Sequence, residues 1–97
     1  RVIIVEDIVS AIRVGKHTTT YSILGTKIST AQAAELGKFK EVTTWLDSDR
    51  AGRQGAYKIR KTLSFITEVS NIVTEKDPKE LSDKEIIHNL NYNLNGG

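Results

Sequence analysis

Apolar residues in this chain come in short runs separated by helix-length stretches. Val2 to Val5, Tyr21 to Leu24, Val42 to Leu46 and Val69 to Val73 are each mostly apolar, as in strands of a sheet covered on both faces. Ser29-Thr30-Ala31-Gln32 and Ser82-Asp83-Lys84-Glu85 have capping-box spacing, in which the hydroxyl and the later amide or carboxylate satisfy free backbone donors reciprocally. They predict helices from about Thr30 and Ser82. In a third helical stretch Gly52, Ala56, Ile59 and Leu63 recur at spacings of four, three and four, which makes one stripe for burial. Arg53, Tyr57, Arg60 and Lys61 form a neighbouring row free to face outward. A β-α-β-α-β-α-β-α order predicts an α/β fold, with a mainly parallel sheet, right-handed crossovers and helices on both faces.

At 97 residues the chain is one domain with a modest core. The expected domain is 1–88, and the asparagine-rich stretch 89–97 is expected to be a fraying tail. No apolar run approaches the roughly 20 residues needed to span a bilayer. Arg1 opens directly on a strand pattern without a signal-peptide cleavage site, so a domain of a longer, intracellular protein is expected. With no cysteine, and only His17 and His88 as histidines, disulfide scaffolds and Cys/His zinc sites are excluded within this segment. Any metal must be held by oxygen. The net charge of +2 says little, but Arg50, Arg53, Lys58, Arg60 and Lys61 fall in one acid-free stretch. That stretch is either a solvated helix face or a surface for phosphate. Gly15, Gly25 and Gly55 lack the spacing of a Walker or dinucleotide loop.

Chemistry concentrates at Trp45-Leu46-Asp47-Ser48-Asp49-Arg50-Ala51-Gly52-Arg53. An apolar strand stops on two carboxylates, and a basic helix start follows. Asp47 and Asp49 share a face if the chain stays extended, and arginines at a helix N-terminus oppose the macrodipole unless an anion is expected there. Parallel sheets bind ligands at the carboxyl ends of their strands, where strand order reverses. With the order 2-1-3-4, Glu6 and Asp47 end neighbouring strands about 4.8 Å apart, and Asp77 joins the same edge after strand four. Glu6, Asp47 and Asp49 are the catalytic candidates and, with Asp77, the candidate ligands. Arg50, Arg53, Arg60, Lys61 and Lys76 are the candidates for phosphate. Each has a plainer reading. Asp49 and Asp7 could be helix N-caps, Glu6 a solvated strand end, Asp77 a turn former before Pro78, and Arg50, Arg53 and Lys76 partners of the same acids. Trp45 reads as core.

Val5-Glu6, Leu24-Gly25-Thr26, Asp47-Ser48-Asp49-Arg50-Ala51-Gly52-Arg53 and Lys76-Asp77-Pro78-Lys79-Glu80, each after its strand, resemble in order and spacing the Toprim domain of DnaG-type primases. The resemblance spans roughly Val2 to Ile86. It implies a Toprim fold, carboxylates that bind Mg²⁺ or Mn²⁺, and a nucleotidyltransferase that joins ribonucleoside triphosphates into RNA primers on a single-stranded DNA template. It also implies a zinc-binding module and a basic segment outside this stretch, a replicative helicase as partner, and a cytoplasmic location, that of the host if phage-encoded. Two departures suit a divergent phage or plasmid relative. The first motif has Asp7 and Ser10 where Gly and Asp are usual, and the fourth has Lys79 in place of a second Asp, which leaves fewer carboxylates for metal. Alternatives are another Toprim nucleic-acid enzyme, a nuclease or a topoisomerase, the latter needing a nucleophilic tyrosine that Tyr21, Tyr57 and Tyr92 show no sign of being. A further alternative is a receiver-like signalling domain phosphorylated on Asp47, which would call for five strands.

Overall fold

The computed structural model of the protein describes residues 1–94. Its elements run β1 (Val2–Val5), α1 (Ile8–Gly15), β2 (Thr20–Ser22), α2 (Thr30–Leu36), β3 (Glu41–Thr44), α3 (Arg50–Leu63), β4 (Glu68–Asn71), a 3₁₀ turn (Pro78–Glu80) and α4 (Asp83–Leu94). The strands form one sheet in the order β2-β1-β3-β4, and every pairing is parallel. The order read from the sequence is therefore the observed one, and the expectation of a mainly parallel sheet becomes an entirely parallel one. Among the described residues there are four strands, not the five a receiver would have.

Alternation along β1 divides the interior into two cores. Val2 and Ile4 pack with Leu36, Val42, Ile59 and Leu63 under α2 and α3, whereas Ile3 and Val5 pack with Val14, Trp45, Ile86 and Leu90 under α1 and α4. The sheet is thus covered on both faces, and β1, buried at all four positions, is its most apolar strand. The outer strand β4 exposes Glu68 and Asn71, as an uncovered edge can. Apolar runs overshoot the strands at two places. Val73 lies past β4 with 70% exposure. After β2 the chain turns at Leu24, with φ of 55°, and Gly25, with φ of 145°. The Leu24 side chain faces solvent, so an apolar residue there serves no core.

Both expected capping boxes form. Ser29 and Gln32 exchange hydrogen bonds at 3.1 and 2.8 Å, and Ser82 and Glu85 do so at 3.2 and 2.9 Å. The expected tail from Asn89 onward falls partly on α4, where Leu90 is buried, and partly on 95–97, which lie outside the described residues. Among the described residues no helix is long and apolar enough to cross a membrane.

Candidate metal and phosphate site

The loops after β1, β3 and β4 bring acidic side chains together at the carboxyl edge of the sheet. Glu6 follows β1, and its Oε1 accepts the backbone N–H of Asp47 at 3.2 Å. Gly52, in the first turn of α3, allows this approach, because a methyl group there would run into the Asp47 carbonyl oxygen and stand 3.1 Å from Glu6 Oε1. The glycine of the Ala51-Gly52-Arg53 run is therefore required by close contact between helix, loop and acid.

Glu6 and Asp47 perturb one another. Burial is the main reason that the Glu6 carboxyl is pushed up to about 7, with the carboxylates of Asp47 and Asp49 adding to the shift. Asp47 is also raised, by burial first and then by Asp77 and Asp7, against the pull of Lys79. Asp47 Oδ1 is buried without a hydrogen-bond partner. Two ionised carboxylates have no donor to offer each other, so this pair gains a hydrogen bond only when it holds a shared proton.

The remaining acids have defined attachments. Asp49 caps α3, its Oδ1 accepting the Gly52 N–H at 2.7 Å. Asp77 Oδ1 accepts both the backbone N–H and the hydroxyl of Ser48, at 2.8 and 3.1 Å, which ties the loop after β4 to the loop after β3. Asp7 caps α1 by accepting the Ser10 N–H at 2.7 Å. Burial works to raise the Asp7 carboxyl, but the Ser10 backbone N–H and Lys79 outweigh it and hold it below the usual carboxylate range. Lys79 reaches the centre of the group, with Nζ 3.0 Å from Asp7 Oδ2, 3.5 Å from Asp47 Oδ2 and 3.8 Å from Asp77 Oδ2. The hydrogen bond to Asp7 is the main reason its ammonium holds its proton more tightly than usual.

The four candidate ligands consequently do not close into one cage. Glu6 and Asp47 lie together, Asp49 is turned into the first turn of α3, and Asp77 is engaged by Ser48 and Lys79. Among the described residues no group of three or more acids or histidines stands ready to hold an ion. A magnesium site needs less than a full protein cage, since the ion keeps several waters and is often bound by one or two carboxylates with substrate phosphates. The pair Glu6 and Asp47, with a buried unpartnered oxygen and two carboxyls raised by burial and crowding, fits such an ion.

The basic candidates stay apart from these acids. Arg50, Arg53, Arg60, Lys61 and Lys76 are exposed, and among the described residues none of them makes an ion pair. Lys61 lies over the Tyr57 ring at 5.5 Å. A groove of about 250 Å³ between α3 and β4 is lined by Arg53, Tyr57, Arg60 and Asn71 among others. Lys76 sits in the loop after β4, where the Thr74 hydroxyl donates to the Lys76 carbonyl at 2.6 Å and accepts the Trp45 indole N–H at 3.1 Å. Trp45 itself is fully buried, as its core reading expects.

Two participants were not among the candidates. Ser48 could be suspected only as a hydroxyl between two aspartates. Lys79 stood out as a departure from the motif, but its reach into the acidic group depends on how the 3₁₀ turn folds back beside α1.

A doubly wound parallel sheet with carboxylates from three strand ends beside a basic helix defines the architecture of this domain. The chain belongs to the Toprim-like family, whose model matches residues 4–82. It is also similar to the primase of Aquifex aeolicus, in a crystal structure of the zinc-binding and RNA polymerase domains, with a TM-score of 0.80 and 28% identity over 94% of this chain. The chain spans 25% of the length of that primase chain. No curated protein matches the sequence.

Proposed function

We propose that the chain forms the catalytic domain of a primase, which joins ribonucleoside triphosphates into an RNA primer on single-stranded DNA with Mg²⁺ or Mn²⁺. The observation that carries this reading is the Glu6 and Asp47 pair, packed across Gly52, with Asp47 Oδ1 buried and unpartnered. Glu6 and Asp47 would hold the ion, with Asp49 alongside and Asp77 fixing the loop that faces them. When bound, the ion supplies charge neutralisation at the reacting phosphates.

The chain's own residues bind and orient. Arg50 and Arg53, at the start of α3, and Lys76, after β4, bind the triphosphate. Placing these cations where the helix dipole is already positive favours an anion strongly. Arg60 and Lys61 continue the row along α3 and hold the template backbone. In the reaction, the 3′-hydroxyl of the growing strand gives up its proton to solvent, its oxygen forms a bond to the α-phosphorus, the bond to the bridging oxygen of pyrophosphate breaks, and pyrophosphate leaves. A zinc-binding module outside this stretch presents the template, and a replicative helicase delivers it. The setting is the cytoplasm.

Manganese titration followed by residue-resolved NMR tests the site. Signals of Glu6, Asp47 and their neighbours should broaden first, and broadening elsewhere with these unaffected would refute the assignment. In the full-length parent protein, Asp47→Asn should abolish primer synthesis and leave the fold intact. Retained synthesis would remove Asp47 from the site.

A further inference from the structure

Lys79 stands where three carboxylates converge. Three carboxylates from the loops after three different strands each turn one oxygen, Oδ2, toward its Nζ. The other oxygens of Asp7 and Asp77 are already used, by Ser10 and by Ser48 respectively. Asp47 is the divider. Its Oδ2 belongs to the Lys79 cluster, its Oδ1 is buried without a partner, and its backbone N–H is held by Glu6. An ammonium offers three donors and a fixed positive charge, which suits this cradle and removes much of the repulsion among three carboxylates. A divalent cation entering the same space would have to displace a covalently tethered charge of its own sign.

We propose that the Lys79 ammonium is a built-in cation that occupies, between Asp7, Asp47 and Asp77, the place of a second divalent ion, so that the acidic edge takes one ion and not two. The inference builds on the reading of Glu6 and Asp47 as the ion-holding pair, but it concerns the opposite side of Asp47. Any further ion needed for nucleotidyl transfer then arrives with the triphosphate.

Counting bound Mn²⁺ tests it, by isothermal titration calorimetry together with electron paramagnetic resonance. The wild-type chain should bind one ion with the spectrum of an isolated Mn²⁺. Lys79→Asp should bind one ion more, with the spectral broadening of two nearby ions. Lys79→Arg keeps the charge and should stay at one. If Lys79→Asp does not fold without metal, Lys79→Gln serves instead. Its thermal midpoint should fall below that of the wild type in chelator and rise more than that of the wild type on adding Mn²⁺. Two ions in the wild type, or an equal count in the wild type and Lys79→Asp, would overturn the proposal. Equal Mn²⁺ responses of Lys79→Gln and the wild type would overturn it as well. A count of zero in the wild type with a gain of one in Lys79→Asp would uphold the role of Lys79 and refute instead the reading of Glu6 and Asp47 as an ion site.

Discussion

The Glu6 carboxyl, held at about 7 against an ordinary 4.5, links the site to the stability of the fold. Between those values the folded, metal-free chain keeps a proton that the unfolded chain releases. Stability contributed by Glu6 is therefore fully present below about pH 4.5 and is lost as pH rises through about 7. The thermal midpoint in chelator should decline across this window, and Glu6→Gln should decline less steeply. Parallel pH series of the two proteins check this, and equal slopes would show that Glu6 is not the titrating group. What the sequence disclosed at this scale was the chemical type of each residue and its place at a strand end. The cap at Asp7 was legible because an N-cap is a local arrangement. The clamp of Ser48 on Asp77 and the reach of Lys79 to Asp7 depend on contacts between residues 29 and 72 positions apart, and no local pattern encodes them.

Helix α3 shows how one residue serves element and site together. Asp49 accepts the Gly52 N–H, and its negative charge also acts on Glu6. The two roles separate by substitution. Asp49→Ala should lose about 1 kcal/mol of stability with the cap. Asp49→Asn keeps an oxygen acceptor at the same place, so it should retain stability while weakening Mn²⁺ binding. Urea denaturation and Mn²⁺ titration of both variants check this, and full Mn²⁺ affinity in Asp49→Asn would reduce Asp49 to a cap. Helices were readable because capping boxes and the stripe Gly52, Ala56, Ile59 and Leu63 are local and periodic. The outer strands were less so. β4 exposes Glu68 and Asn71, and Leu24 is apolar yet exposed at a positive φ, so apolarity does not mark where edge strands stop.

At the scale of the molecule, acids collect at one edge of the sheet while exposed cations run along the outside of α3. The order 2-1-3-4 could be anticipated because alternating strands and helices admit few right-handed arrangements. If the cations bind a template, affinity for single-stranded DNA must fall with salt, by a log–log slope of about −0.7 for each phosphate neutralised. Replacing Arg60 and Lys61 together with glutamine should flatten that slope by about 1.4 and leave folding intact, since both side chains are exposed. Fluorescence anisotropy of a labelled oligonucleotide over a salt series measures it, and an unchanged slope would move the template elsewhere.

The one tryptophan of the chain stands at the junction of these scales. Trp45 is sealed in the core, and its indole N–H rests on the Thr74 hydroxyl, which in turn holds the loop carrying Lys76 and Asp77. Indole emission depends on the polarity and hydrogen bonding around the ring. The domain thus contains its own optical reporter, a single indole wired to the loop that completes the acidic edge.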